Sequence, residues 1–248
     1  VHLTPDKLNQ LEPGIQMDVR GAVHYPGDAH ITPQVFMHQM LHHLKQEGVV
    51  FLPGKEITGI HDHGHTGAEV STADGDILRA RHIVVAAGSW SGKLLKKRGY
   101  RLPMQDGKGY SMTLENPSLK PSIPSILHEA RVAITPMGDD LRISGTLEIS
   151  GMDDLVNPHK VNSILKAVPE YYPGIKIKDA GPVWFGYRPC TPDGMPYIGP
   201  LQSGSAVIMA NGHAMMGLSL APVTGRIVKD MLAGISSGHA LNKTEPSR

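Results

Sequence analysis

The residues best placed to do chemistry lie between Trp184 and Pro200, where Arg188 precedes Pro189 and is followed by Cys190-Thr191-Pro192-Asp193-Gly194. Proline biases the residue before it toward an extended backbone, and Pro192-Asp193-Gly194 sets a tight turn. Arg188 is therefore held stiffly at the end of a strand. A fixed guanidinium can clamp a carboxylate through two parallel hydrogen bonds. An internal salt bridge is the competing use for the same side chain, and spacing alone leaves both open.

A second constellation is Asn211-Gly212-His213-Ala214-Met215-Met216-Gly217-Leu218, which joins an apolar strand at 205–210 to a helix running to about Leu232. Such a junction presents backbone N–H groups and the positive end of the helix dipole to whatever sits above it. A phosphate, a carboxylate or the pyrimidine edge of a reduced, anionic flavin each suits that field. Taken alone, Met215 and Met216 read as packing residues and His213 as a satisfied loop histidine.

Other reactive side chains are less well arranged. His61-Asp62-His63-Gly64-His65 alternates histidines as a strand-borne metal site would, but Gly64 and Gly67 mark a hairpin tip, and no metal is expected. His42 and His43 are adjacent on a helix and face different ways. Cys190, the single cysteine, lacks a helix start or a histidine to activate it. It cannot form an intrachain disulfide and leaves a reducing, cytoplasmic compartment as the expectation.

These groups need a scaffold, and 248 residues suffice for one large domain or two small ones. Lys+Arg 24 against Asp+Glu 23 argues against a polyanion-binding surface, so nucleic acid is not an expected partner. No apolar run approaches the roughly 20 residues of a spanning helix. Gly 28 and Pro 20 beside three Phe and two Trp favour a turn-rich mixed α/β chain over a helical bundle.

Thr32-Pro33 predicts a helix start, apolar residues recur at helical spacing to Glu47, and Gly48 ends it. Short strands are expected at 49–52, 56–60, 68–72 and 76–79. Arg81 to Gly88 reads as a strand buried on both faces, with something pressing closely on its end. Strand-like pieces at 110–114, 132–135, 141–147 and 183–186 surround a helix near 158–168, which predicts an antiparallel sheet with a helix as a separate lobe. Gly234 closes the last helix, and the tail 236–248 is polar and expected to be loosely docked at most.

The Arg188 to Gly199 and Asn211 to Leu218 stretches resemble the D-amino-acid dehydrogenase and glycine/D-amino-acid oxidase (DAO) family of flavoenzymes. Ala86-Ala87-Gly88-Ser89-Trp90-Ser91, Gly21 to Asp28 and Lys108-Gly109-Tyr110-Ser111 share in the resemblance, which runs from about Leu11 to Arg226. It implies an α/β (α+β) chain with a partial FAD-binding Rossmann-like domain, 27–100 and 187–235, and an antiparallel-sheet substrate-binding lobe, 1–26 and 101–186. FAD is the implied cofactor and a D-amino acid the implied substrate, oxidised at its CH–NH2 bond by hydride transfer. Arg188 would bind the substrate carboxylate, with Tyr110, Tyr187 and His213 beside it. Gly212, His213, Met215, Met216, Gly217 and Leu218 would border the flavin. Ala87 and Gly88 would approach the pyrophosphate, Ile57 the adenine, and Trp90 would sit beside the dinucleotide. No residue is singled out as a chemical catalyst, and the electron acceptor is oxygen or a quinone.

Family members begin with a strand, a Gly-x-Gly-x-x-Gly turn and a helix that wrap the diphosphate. This sequence has no such fingerprint, so the expectation is the later part of a family member, with the N-terminal dinucleotide-binding portion as a missing partner. The alternatives are a non-catalytic carboxylate-binding fragment or subunit and an N-methyl amino-acid oxidase of the sarcosine type. Family dehydrogenases are often peripheral to the inner membrane, although no basic amphipathic helix here supports that placement.

Overall fold

A computed structural model describes residues 1–178, 180–235 and 244–246. The chain divides into two compact units, Val1–Phe51 with Lys108–Glu148 and Asp153–Gly186, and Leu52–Gly107 with Ile149–Met152 and Tyr187–Arg248. In chain order the first unit opens with β1 (His2–Leu3), α1 (Pro5–Leu11), β2 (Ala22–Val23) and α2 (Pro33–Gln46). The second then supplies β3 (Ile57–Asp62), β4 (Ala68–Thr72), β5 (Ile77–Ala80), β6 (Ile83–Val85) and α3 (Ser91–Lys96). After β7 (Gln105–Leu114), the first unit adds β8 (Ser125–Leu127), β9 (Val132–Met137), β10 (Asp140–Glu148) and α4 (Pro158–Tyr171). After β11 (Trp184–Cys190), the second is completed by β12 (Tyr197–Pro200), β13 (Val207–Asn211) and α5 (Gly217–Leu232).

The first unit is built on a five-stranded sheet in the order β11-β7-β10-β9-β8. Its β10 sits antiparallel to both neighbours, with Ile143 opposite Met112 on one side and Ile134 on the other. Alternation along these strands turns Tyr110, Met112, Leu114, Val132, Ile134, Leu141 and Ile143 into one core, closed by Val161, Ile164, Ala167 and Val168 of α4. Each fully buried side chain of this size contributes about 1.5–3 kcal/mol. Asn157 caps α4 by accepting from the backbone N–H groups of His159 and Lys160, and Pro158 takes the first helical position. The buried Glu12 carboxylate accepts from the backbone N–H groups of Ser122 and Ile123, fixing the end of α1.

The second unit holds two sheets, β12-β13-β6 and β3-β4-β5. β6 runs parallel to β13, with Ile83, Val84 and Val85 opposite Val207, Ile208 and Met209, and β12 is antiparallel to β13. Ile227 and Val228 of α5 pack on Ile198 and Ile208. Val85, Val207 and Met209 face Leu95 of α3 and Ile60 of β3.

Three local expectations need correction. β6 is not buried on both faces: Val85 is buried and Val84, which points to the opposite face, is exposed, so only one face of the strand is covered among the described residues. Val49 to Leu52 forms no strand, and all four side chains are exposed; an apolar run becomes a strand only where another strand accepts its hydrogen bonds. Thr32 occupies the N-cap of α2, but its side chain makes no capping hydrogen bond; the helix opens with the ordinary backbone bond from Phe36 N–H to the Thr32 carbonyl. Gly48 does adopt the left-handed conformation, φ 83°. Most of the 236–248 tail lies outside the described residues; of the rest, Thr244 is buried, and its carbonyl accepts from Ile198 N–H at 2.8 Å.

Candidate functional site

Parallel pairing of β6 with β13 brings two chain reversals side by side at the carboxyl ends of the strands, where open α/β sheets bind ligands. After β6, Ala86-Ala87 leads into a short helical turn, Gly88–Trp90, whose first residue has φ 54°. After β13, Gly212 has φ 80°, and a second short turn, Ala214–Met216, runs into α5. Ala214 is itself left-handed at φ 47°, a conformation costly for a residue with a Cβ. Only glycine fits at 212, since a Cβ there would lie 2.6 Å from Thr191 Cγ2. Asn211, buried at 3% exposure, donates through Nδ2 to the Gly88 carbonyl and to Ser91 Oγ, both at 2.7 Å, and accepts from Gly212 N–H.

The arginine strand meets this corner. Cys190 of β11 forms an isolated antiparallel bridge with His213, so Arg188, two residues earlier on the same strand face, is brought in beside the turn after β13. Arg188 is half-buried, and that burial pushes its guanidinium pKa down from the ordinary value, opposed by the Cys190 side chain. Burial likewise raises the Cys190 thiol, with Arg188 and the Gly107 N–H pulling it down and Asp106 pushing it up. The Cys190 Sγ–H donates to the Arg188 carbonyl at 3.4 Å. His213 Nε2 lies 2.9 Å from Thr224 Oγ1 of α5, and desolvation lowers its pKa, which favours a neutral imidazole. Tyr187 and Trp90 meet edge to face, with ring centroids 6.3 Å apart.

The match to known families follows this geometry. The sequence pattern of the DAO family, described as FAD dependent oxidoreductase, matches residues 1–231. The chain belongs to this family. It is 32% identical over 216 residues to a D-amino acid dehydrogenase of Methylobacterium radiotolerans, covering 86% of this chain and 51% of that one. With the D-amino acid dehydrogenase of Granulibacter bethesdensis it shares 31% identity over 228 residues, covering 90% and 54%. The chain thus spans about half the length of the curated relatives it matches. Among solved structures it is similar to a glycine oxidase from Bacillus cereus, at TM-score 0.85 and 27% identity over 100% of this chain and 68% of that one. A glycine oxidase from Geobacillus kaustophilus has the same fold, with TM-score 0.85 and 24% identity over 100% and 66%.

A DAO-family chain implies FAD, and the strand ends fit it on three observations. Ser89 is buried, 7% exposed, and its hydroxyl has no hydrogen-bond partner among the described residues, leaving a donor for a ligand atom. A Cβ on Gly88 would meet no atom within 4 Å among the described residues, so this turn offers bare backbone to a ligand. Trp90, Met215, Met216 and Leu218 expose apolar surface around the two turns, 56% for Trp90 and 70% for Met215, as a broad aromatic ring system requires of its binding surface.

Of the residues expected at the site, Ala87, Gly88, Trp90, Tyr187, Arg188, Gly212, His213, Met215, Met216, Gly217 and Leu218 fall on the strand ends, the end of β11 or the start of α5. Ile57 opens β3, half-buried against the second unit's core. Tyr110 lies in the first unit, 1% exposed, its hydroxyl donating to Glu148 Oε2 at 2.7 Å and accepting from Asn157 N–H. Sequence reasoning assigned no role to Ser89, Asn211 or Thr224. Polar residues immediately after two apolar strand segments are the signal available for Ser89 and Asn211; Thr224 reads as one more helix residue. No helix among the described residues is long and apolar enough to cross a membrane. Among them, no group of three or more His, Cys, Asp or Glu could hold a metal ion.

Proposed function

We propose that this chain supplies the strand-end cradle and the carboxylate anchor of a flavin-dependent oxidoreductase acting on the CH–NH2 bond of D-amino acids. The observation that carries this reading is the Cys190 to His213 bridge, which joins the arginine strand to the corner where FAD would lie. Gly88, Ser89 and Trp90 after β6, and Gly212 with the start of α5 after β13, would hold the cofactor. The chemistry FAD supplies when bound is acceptance of a hydride from the substrate α-carbon, giving an imino acid that water hydrolyses to a keto acid and ammonia.

Arg188 binds the substrate carboxylate. Its guanidinium has already lost part of its water, so the pairing is stronger than it would be in open solvent. Tyr187, stacked edge-on against Trp90, borders the same strand end. His213 stays uncharged at neutral pH and places no second cation beside the arginine. Tyr110 enters through its own unit, where the Tyr110, Glu148 and Asn157 hydrogen bonds fix β7 against the start of α4. Orientation accounts for most of the catalysis, since a well-placed reactant can recover about 7–11 kcal/mol of a barrier.

The test is titration of the purified chain with FAD, followed by anaerobic addition of D-alanine, D-proline, glycine or sarcosine, with oxygen and a soluble quinone compared as acceptors. Flavin uptake and bleaching by a D-amino acid are expected. Flavin uptake with bleaching by sarcosine alone would replace the substrate class, and no uptake at millimolar FAD would remove the cradle.

A further inference from the structure

We infer that Asn211 is a positioning residue that locks the two turns of the FAD cradle into one rigid unit, an inference that rests on reading those strand ends as the cradle. Backbone pairing between β6 and β13 runs only from Val207 and Ile83 to Met209 and Val85. Asn211 continues the link two residues further by side chain. Its Nδ2 hydrogens go to the Gly88 carbonyl, at the start of one turn, and to Ser91 Oγ, at that turn's end. Its Oδ1 accepts from Gly212 N–H at the start of the other turn.

The amide orientation has no alternative. Turned over, it would set its carbonyl oxygen against the Gly88 carbonyl and its NH2 against the Gly212 N–H, losing two of three hydrogen bonds. One buried side chain therefore ties together the two left-handed glycines, Gly88 and Gly212, whose backbone faces the proposed cofactor. Ser91, the far anchor, has no exposed surface and opens α3, so the clamp is fastened to a packed helix. The left-handed Ala214 lies three residues beyond Asn211, where a conformation of that kind persists only if its surroundings hold it.

The experiment compares Asn211→Asp with wild type in FAD affinity from pH 8 to pH 4.5, alongside amide hydrogen exchange of the chain without FAD. At pH 8 an aspartate keeps the bond from Gly212 N–H but sets a carboxylate oxygen against the Gly88 carbonyl. FAD binding is expected to weaken about tenfold or more and to recover toward the wild-type value as the new carboxyl takes up a proton and becomes a donor. Faster exchange at residues 88–91 and 212 is expected in the variant with no FAD present. Acid rescue separates positioning from a general loss of structure. Should Asn211→Asp not fold, Ser91→Ala, which removes a single anchor, is expected to weaken FAD binding about threefold to tenfold. If wild type binds FAD and the folded variants bind it equally well at every pH, the inference is overturned while the cradle stands. If wild type takes up no FAD, the cradle reading fails, and the inference with it.

Discussion

Cys190 and His213 face each other across an isolated antiparallel bridge, and the contact is made by backbone, so it fixes the path of both segments whatever their side chains do. On one side it stops the arginine strand; on the other it pins the turn that starts α5. A mobile loop arginine would lose several kcal/mol of rotamer and backbone freedom on gripping a carboxylate, whereas one on a strand tied down two residues away is largely ordered beforehand.

Replacing Arg188 tests that preorganisation. Arg188→Lys keeps the positive charge and loses the bidentate fork, and Arg188→Ala loses both. A charge-assisted hydrogen bond is worth about 1.5–3 kcal/mol, so the KM for a D-amino acid is expected to rise roughly tenfold to a hundredfold in Arg188→Ala, with FAD affinity unchanged. Steady-state kinetics beside an FAD titration decide it; unchanged KM removes the anchor assignment.

Two glycines of the same corner are expected to respond oppositely. Gly212→Ala forces a Cβ into φ 80° and to within 2.6 Å of Thr191 Cγ2, so a loss of about 1–3 kcal/mol in stability is expected by chemical denaturation. At Gly217 a Cβ would rest 3.5 Å from His213 Cβ, an ordinary contact in the first turn of α5. Gly217→Val should therefore fold normally and show its effect as weakened FAD binding alone. Equal stability losses in the two variants would contradict the difference in geometry.

What the sequence made legible was whatever neighbouring residues decide among themselves. The helix near 158–168, Gly48 at the end of α2, and the strand-like pieces at 132–135 and 141–147 are of this kind, each strand being two residues longer in the structure, and the Asn157 cap of α4 went unread. The Arg188-Pro189 and Gly212-His213 pieces were each visible for the same reason. Their meeting was not, because the bridge joins residues 23 positions apart. The Asn211 clamp spans 120 to 123 positions to Ser91 and Gly88 and leaves no periodic trace. Val49 to Leu52 fails in the opposite sense: a local pattern adequate for a strand remains irregular where no described strand receives it.

The Cys190 thiol is expected to be unreactive. Burial holds it protonated above the ordinary thiol range, against the pull of Arg188 and the Gly107 N–H, and thiols react as thiolates. Labelling by a maleimide at pH 7 should be much slower in the folded chain than in urea. Labelling at equal rates would mean that the end of β11 is open.

Acid should weaken the corner through His213. Desolvation lowers its folded-state pKa below the value of about 6.5 for a free imidazole. As pH falls through that value, the unfolded chain takes up the proton first. The stability associated with a neutral His213 is therefore complete above the unfolded pKa and is lost as pH falls toward the folded one. His213→Gln keeps a polar side chain near Thr224 Oγ1 but cannot titrate. Urea midpoints measured at pH 7.5 and 5.5 should fall further in wild type than in His213→Gln. The same drop in both proteins would show that the imidazole is charged without penalty, and that the turn after β13 is wetter than its burial implies.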